Sequence, residues 1–197
     1  MAGWTHHDGQ AIALPLDNVD TDQLIPARFM SIPRAQGYGG HLLYDLRRDE
    51  AGDLRSDFPV NRWPNASILI AGRNFGCGSS REAAVYALVD AGFRAVIAPG
   101  FGDIFAGNAV NNGLLPAQVE TDMVAALTAA TPGTAQIDLE NRQIVMGDVQ
   151  AEFALGDAAR TKLINGWDDI DLTRADAESI AAYRAARAQS APWVWPG

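Results

Sequence analysis

The chain has 197 residues, of which 48% are hydrophobic and 20% charged, a balance typical of a globular protein with a substantial core. Its formal net charge of −9 gives no electrostatic reason to expect binding to nucleic acid or to an anionic membrane. The apolar runs are too short to cross a membrane, and the start lacks the features of a signal peptide. The single cysteine excludes an intrachain disulfide framework. These three observations together predict a cytoplasmic protein.

The N-terminal third predicts one strand followed by a long irregular excursion. Residues 11–16 are apolar and predict a first strand, and Asp20 and Asp22 behind it are placed in turns or helix caps. Residues 31–65 are rich in Pro, Gly, Arg and Asp and have no sustained period, apart from one helical turn predicted near HLLYDLR. Loops of this length inside a domain are usually functional or mobile. His41 is interpreted as a packing or hydrogen-bonding residue.

The central third alternates between strands and helices. Two continuous apolar runs, 66–72 and 93–99, predict buried strands. A helix is predicted to follow each strand, one ending at Gly92 and the other near Gly113, and a third strand is predicted to begin at residue 114. This alternation predicts parallel pairing with helices packed on the sheet.

After residue 120 the pattern changes. A short amphipathic helix is predicted to precede two or three strands, which are joined by turns at Asn141 and Gly147. A final helix is predicted from Thr173, which can cap it, to residue 189, and the acidic run Asp168, Asp169 and Asp171 is predicted to precede and cap this helix. The whole chain, 1–197, is therefore predicted to be one α/β domain with a mainly parallel sheet flanked by helices.

A glycine-rich corner between a predicted strand and a predicted helix carries the strongest chemical signal. Gly76 and Gly78 allow a sharp turn that brings backbone N–H groups close to a ligand. The following helix presents its positive dipole end, and Arg81 offers a planar guanidinium suited to a carboxylate. Because Ser79 and Ser80 lie at the same corner, the sequence predicts an anion site next to a hydroxyl group.

Simpler interpretations compete with this one. Ser79-x-x-Glu82 matches a capping box, in which both residues would only start the helix. A dinucleotide-binding loop without chemistry of its own is a second alternative, although Arg81 stands where the third glycine of G-x-G-x-x-G is expected. Neither serine has the G-x-S-x-G frame of a hydrolase nucleophile. Cys77 is interpreted as a small buried thiol, since no histidine lies near it in the sequence.

Several segments resemble one family of hydro-lyases. NFGCGSSRE (74–82), NVDTDQLIPARF (18–29), FRAVIAPGFGDIF (93–105) with NNGLLP (111–116), and LINGWDDIDLT (163–173) occur in the expected order over nearly the whole chain. Together they resemble the small subunits of the isopropylmalate dehydratase family and the mobile fourth domain of aconitases. The resemblance implies a swivelling β/β/α domain that closes over a [4Fe–4S] cluster carried by another polypeptide, the large subunit.

The family's roles transfer to matching positions. By resemblance, Ser79 is the base that removes or returns a carbon-bound proton, and Arg81 pairs with a carboxylate of a 2-hydroxy diacid substrate. Ser80 and Gly78 help to bind that substrate. The loop 31–40 is implied to contact the variable side chain of the substrate, with Arg34 as its candidate residue. The alternative for Arg34 is a solvated loop arginine without a substrate contact.

The resemblance implies no metal ligand in this chain. The single cysteine and three histidines of the chain show no ligand spacing for a cluster or a zinc ion. The implied reaction interconverts 2- and 3-isopropylmalate in leucine biosynthesis. The sequence departs from the family where His and Pro are expected, with Ala83 and Val85 in their places. A related substrate, such as homoaconitate or a methyl-substituted malate, therefore stays an alternative.

Overall fold

A computed structural model describes residues 2–194, so Met1 and the last three residues of the expected domain lie outside the described part. The strands are β1 (His6–Leu14), β2 (Ile68–Ala71), β3 (Ala95–Ala98), β4 (Leu115–Gln118), β5 (Gly133–Asp138), β6 (Gln143–Met146) and β7 (Val149–Glu152). The α-helices are α1 (Thr21–Leu24), α2 (Pro59–Arg62), α3 (Glu82–Asp90), α4 (Asp103–Asn111), α5 (Thr121–Ala129), α6 (Asp157–Asn165), α7 (Asp169–Arg174) and α8 (Ala177–Ser190).

The seven strands form one sheet in the order β4-β3-β2-β1-β5-β6-β7. The pairs β1–β2, β2–β3 and β3–β4 are parallel, whereas β1–β5, β5–β6 and β6–β7 are antiparallel. The sheet is therefore mixed rather than mainly parallel. The difference arises because β5 to β7 are joined by short turns, and such connections can only make antiparallel neighbours.

The parallel and antiparallel halves of the sheet differ in the burial pattern of their strands. Every residue of β2 and of β3 is buried, as expected for parallel strands with helices on both faces. In β5, buried Ala135 and Ile137 alternate with more exposed neighbours, the pattern of a strand with one open face. The first strand begins at His6, earlier than the apolar run 11–16 indicates, because residues 6–10 pair with β5 through their backbone.

Helices cover the parallel half on two sides. One core cluster places Leu69 and Val96 against α3, and the other places Ile68 and Ile97 against α5. Neighbouring strand residues alternate between the two clusters because successive side chains of a strand point to opposite faces. The fold is thus an α/β layer structure around the sheet.

The excursion between β1 and β2 is mostly irregular, as predicted, and it is anchored to the core. It contains three short 3-10 helices, Ala27–Phe29, Arg34–Gln36 and Gly39–His41, and one helical turn in which the Arg47 N–H donates to Leu43 O at 2.9 Å. The buried apolar side chains between β1 and β2 belong to the same core cluster as α3, and they are Val19, Leu24, Ile25, Tyr38, Leu42, Leu43, Phe58, Val60 and Ala66.

The C-terminal region differs most from the prediction. The expected single helix with a Thr173 cap is wrong: Thr173 lies inside α7, where its hydroxyl donates to Asp169 O at 2.9 Å. The cap comes from the acidic run, as was also predicted, because the Asp168 side chain accepts from the N–H groups of Ile170 and Asp171 at the start of α7. A helix preceding this region, α6, was not predicted. No helix among residues 2–194 is long and apolar enough to cross a membrane.

Candidate functional site

The predicted corner lies where three chain segments meet at the carboxyl ends of parallel strands. The loop after β2 pairs with the loop after β1 through an isolated parallel bridge between Asp20 and Cys77, and with the loop after β3 through one between Phe75 and Phe101. Thr21 N–H donates to Cys77 O at 3.0 Å. The carboxyl edge of a parallel sheet is where open α/β folds bind ligands, so the topology agrees with a site here.

The two glycines of the corner have positive φ values that side-chain-bearing residues rarely adopt. Gly76 has φ 71° and Gly78 has φ 93°. A Cβ atom on Gly76 would lie only 2.2 Å from Cγ of Phe105, whereas one on Gly78 would have its nearest neighbour at 3.4 Å. Gly76 is therefore needed for both conformation and packing, and Gly78 for conformation alone.

Ser79 does not cap the helix that follows it. Helix α3 begins at Glu82, its N-cap position is Arg81, and the Arg81 side chain makes no capping hydrogen bond. The capping interpretation of Ser79-x-x-Glu82 is therefore wrong, since Ser79 lies two residues before the cap position. Glu82 instead accepts a hydrogen bond from Asn112 Nδ2 at 2.9 Å. Ser79 and Ser80 are both exposed, which leaves their hydroxyl groups open to a ligand.

Arg81 is held at the corner by a partner from the loop after β1. Its Nη1 atom forms an ion pair and hydrogen bond with Oδ1 of Asp22. Asp20, two residues before Asp22, caps α1. Its Oδ1 atom accepts the Gln23 N–H at 2.7 Å, and its own backbone N–H donates to Gln23 Oε1 at 2.9 Å. The predicted cap role of Asp20 is confirmed. Asp22 lies in the first turn of α1, but the sequence did not predict its contact with Arg81.

Thr21 belongs to the corner, although sequence reasoning missed it. It is the one polar residue among those described that is fully buried, with 2% of its surface exposed. Its hydroxyl donates to Ser79 O at 2.9 Å and lies 3.4 Å from the Ser79 hydroxyl oxygen. The NVDTDQLIPARF segment was recognised as part of the resemblance, but no local pattern indicates that its threonine reaches a serine 58 residues away.

The structure does not bring Arg34 to this corner. Its guanidinium donates to both carboxylate oxygens of Asp90, at 2.6 and 2.9 Å, and lies 4.3 Å from the centre of the Tyr86 ring. Asp90 ends α3, so its Cα lies roughly 12 Å along the helix axis from that of Glu82 at the first turn. Arg34 thus fastens the 31–40 loop to α3.

Other predicted positions have ordinary packing roles. His41 stacks on Phe29, with ring centres 4.3 Å apart, which confirms its predicted packing role. Cys77 is half-buried and not the fully buried thiol that the sequence predicts, and its carbonyl oxygen accepts the Thr21 N–H. Within residues 2–194 no three His, Cys, Asp or Glu side chains are grouped to hold a metal, so the donor set described does not fit an iron–sulfur cluster, which needs several thiolates.

An apolar cavity of about 570 Å³ lies at the same edge of the sheet but on the α5 side. Its walls include Gly72, Arg73 and Pro99 together with Val124 and Ala125 of α5. None of the residues of the Ser79 corner lines this cavity. Gly78, Ser79 and Ser80 of the corner are instead exposed at the surface.

Comparison with known families supports the resemblance. The profile of the family described as "Aconitase C-terminal domain" matches residues 1–122. The crystal structure of 3-isopropylmalate dehydratase (leuD) from Methanocaldococcus jannaschii aligns with a TM-score of 0.67 at 28% sequence identity, covering 91% of this chain and 99% of that one. The aconitase-type α/β fold predicted from the sequence is thereby confirmed.

Curated relatives cover nearly the whole chain. A protein of Rhodospirillum centenum named 3-isopropylmalate dehydratase small subunit is 44% identical over 201 residues, covering 98% of this chain and 99% of that protein. A protein of the same name from Shewanella oneidensis is 45% identical over 194 residues, covering 94% and 96%. With these matches and the family profile, the chain belongs to the family of 3-isopropylmalate dehydratase small subunits and carries the aconitase C-terminal domain.

Proposed function

We propose that the Ser79 corner carries the substrate chemistry of a hydro-lyase that interconverts 2- and 3-isopropylmalate, a reaction of leucine biosynthesis. In this proposal the chain acts together with a large subunit that bears a [4Fe–4S] cluster. One observation carries the proposal: the loop after β2 presents an exposed, non-capping Ser79 next to Arg81 at the start of α3. In this arrangement the guanidinium can bind a carboxylate of the substrate while the hydroxyl group exchanges a proton with one of the substrate's carbons.

Ser79 acts as the base. Its oxygen, as the alkoxide, takes the proton from the substrate carbon while the C–O bond on the adjacent carbon breaks, and the leaving hydroxide takes up a second proton from solvent and departs as water. The product of this half-reaction is an alkene diacid. In the second half-reaction Ser79 returns its proton to one carbon, and a water molecule adds its hydroxyl to the other carbon and gives its remaining proton back to solvent. A serine oxygen can act so only where its negative charge is stabilised.

Arg81 binds a substrate carboxylate. A guanidinium carries five N–H donors, so the contact between its Nη1 and Asp22 leaves other donors for the substrate. Asp22 thereby fixes the direction of the guanidinium before substrate arrives, which lowers the entropy lost on binding. Ser80 and the backbone at Gly78 contribute hydrogen-bond donors to the substrate oxygens.

The open position of the corner requires a second surface. Ser79 and Ser80 are exposed in this chain, and water must be excluded for a serine alkoxide to persist during turnover. In this proposal the large subunit would provide that cover, and its cluster, when present, would supply Lewis-acid chemistry. The residues of this chain bind and orient the substrate and move the carbon-bound proton.

The positions at which the sequence departs from the family are buried beneath α3 and are not exposed at the corner. Ala83 and Val85 are 9% and 0% exposed and belong to the core cluster beneath α3. Their effect on the reaction is therefore limited to the packing of α3. We propose isopropylmalate as the substrate, because relatives that share 42 to 45% identity are named for that reaction.

The test is an assay of Ser79→Ala after anaerobic reconstitution with the large subunit at full cluster occupancy. We expect kcat to fall by about 10²-fold or more, since general bases contribute factors of this size. Thermal unfolding should stay close to that of the unmodified chain because Ser79 is exposed and caps no helix.

The matched control is Ser190→Ala, at an exposed serine that ends α8, for which turnover should be unchanged. Arg81→Lys keeps the charge but loses the planar geometry, so its main effect should be a higher KM. Near-normal kcat of Ser79→Ala in the reconstituted enzyme would contradict the proposal. A substrate panel of 2-hydroxy diacids, measured with the same preparation, tests the choice of isopropylmalate.

A further inference from the structure

Thr21 combines burial with an unusual set of contacts. It opens α1 directly behind the capping residue Asp20, and it is 2% exposed. Its backbone N–H donates to Cys77 O and its hydroxyl donates to Ser79 O. Two bonds from one residue therefore join α1 to the loop that carries Ser79. Such a residue can control where Ser79 points.

The hydroxyl of Thr21 has a second possible partner. A threonine hydroxyl has a single proton, and in this structure that proton is donated to Ser79 O at 2.9 Å. The hydroxyl oxygen of Ser79 lies 3.4 Å away, longer than an ordinary O–H···O hydrogen bond. The neutral Ser79 hydroxyl is thus held only weakly and stays available to substrate.

Loss of the Ser79 proton changes which of the two Ser79 oxygens is the better acceptor for the Thr21 hydroxyl. An alkoxide oxygen is a charged acceptor, and hydrogen bonds to charged acceptors are shorter and stronger than those to a carbonyl. A rotation of the Thr21 hydroxyl moves its proton from Ser79 O to Ser79 Oγ without breaking the backbone bond to Cys77. Because Thr21 is buried, no water competes for that proton.

We infer that Thr21 is a positioning residue for the reaction: its hydroxyl switches from the carbonyl to the side-chain oxygen of Ser79 when Ser79 loses its proton, and so stabilises the basic form. The inference rests on the proposed function, because it presumes that Ser79 acts as a base. It assigns to the loop after β1 a part in proton transfer and not only in folding.

The deciding variant is Thr21→Val, which keeps the branched shape and removes the hydroxyl. In the complex reconstituted with the large subunit we expect kcat to fall by about tenfold or more, as for the loss of one donor to a developing negative charge, while KM changes little. Thr21→Ser, which keeps the hydroxyl, should restore most of kcat. Thr21→Cys, with a weak donor of similar size, should resemble Thr21→Val and serves where the valine variant folds poorly.

Amide hydrogen exchange provides a readout independent of turnover. The Thr21 and Arg81 N–H groups are bonded to Cys77 O and Ser79 O, so their protection reports whether the corner is intact. Protection retained together with a lower kcat supports the inference. The control is Ser67→Ala, which removes a 2.8 Å hydrogen bond to His7 beyond the opposite, amino end of β2 and should leave kcat unchanged.

Three results would overturn the inference. The first is an unchanged kcat in both Thr21→Val and Thr21→Cys. The second is a kcat of Thr21→Ser that is as low as that of Thr21→Val. The third is a loss of amide protection with parallel changes in KM and kcat, which would show that Thr21 acts in folding alone. Ser79→Ala is assayed in the same series. If Ser79→Ala retains turnover, the proposed function fails; if it loses turnover while Thr21→Val retains it, only the inference about Thr21 fails.

Discussion

At the scale of single residues, Gly76 and Gly78 impose different constraints on the same turn. Both have positive φ, yet only Gly76 lies against a ring, with Phe105 Cγ 2.2 Å from the place of a Cβ atom. Phe105 in turn packs edge-on against Phe75, at 5.5 Å between ring centres. A methyl group at Gly76 must therefore displace an aromatic cluster as well as strain the backbone.

We predict that Gly76→Ala destabilises the fold more than Gly78→Ala. For Gly78→Ala the backbone strain alone should cost about 1–2 kcal/mol. For Gly76→Ala overpacking adds about 1–3 kcal/mol. Urea unfolding of the two variants measures the difference. Equal losses of stability would show that Phe105 moves aside without cost.

The place of the corner between a buried strand and a helix could be predicted from the sequence, but its supporting contacts could not. Gly78, Ser79 and Arg81 form a local pattern between a buried strand and a helix, and such a pattern carries its own geometry. The contacts from Thr21 and Asp22 join positions 58 and 59 residues apart. Only the parallel pairing of β1 with β2 brings those positions together, and hydrophobic period does not specify that register.

At the scale of elements, Arg34 links the excursion to α3. The two hydrogen bonds to Asp90 are joined by a third from Tyr38 N–H to the same carboxylate, at 2.7 Å. The Arg34 guanidinium is stacked on Tyr86. Asp90 thus gathers the 31–40 loop at the end of α3 away from Ser79. We propose that Arg34 influences substrate binding by holding this loop in place.

This proposal predicts that Arg34→Gln and Asp90→Asn change KM by a similar factor. Each variant removes one side of the same ion pair, so each should loosen the loop while kcat changes little. The measurement is steady-state kinetics of the reconstituted enzyme with isopropylmalate. Arg28→Gln is the control, since it breaks a different pair of the excursion, with Asp45.

A different outcome would assign Arg34 a direct substrate contact. In that case Arg34→Gln should raise KM strongly, whereas Asp90→Asn would release the guanidinium and leave KM unchanged or lower it. Loop exchange with a related subunit that acts on another diacid gives an independent check, read as a change in the kcat/KM ratio between substrates.

Strongly buried strands could be predicted well, whereas one helix with little burial was missed. Strands β2 and β3 consist entirely of buried apolar residues, and this signal is clear in the sequence. In contrast, α6 buries only Leu163 and was not predicted. Helix α8 buries no residue; it was predicted as part of a final helix, but the start of that helix was placed at Thr173, which belongs to α7. The break between α7 and α8 falls near Ala175 and Asp176, where neither glycine nor proline marks a helix end.

At the scale of the whole molecule, His7 links stability to pH. Its ring donates to or accepts from Ser67 Oγ at 2.8 Å, and burial, followed by the nearby charge of Arg94, lowers the pKa of His7 below its ordinary value of 6.5. The fold therefore disfavours the protonated ring. Since the unfolded chain binds that proton near pH 6.5, the contribution of His7 to stability is complete above this pH and is lost as pH falls through the lowered folded-state pKa.

We predict that His7→Gln flattens the decline in stability between pH 8 and about pH 5, because glutamine can keep a hydrogen bond to Ser67 and does not titrate. Denaturant unfolding at several pH values measures the slope. Arg94→Gln should flatten the decline less, since its charge is the second cause of the shift. A slope that is the same in the chain with His7 and in His7→Gln would refute this assignment.

The position of β1 in the sheet has a consequence for the order of folding. This first strand ends at Leu14, and its two neighbours are β2, which begins at Ile68, and β5, which begins at Gly133. During synthesis β1 therefore leaves the ribosome long before either partner exists, and closing such long loops costs entropy before any pairing compensates for it. The strand that is made first must therefore wait for the last third of the chain before both of its edges are paired, and until residue 138 has emerged one of these edges stays unpaired and open to association with other chains.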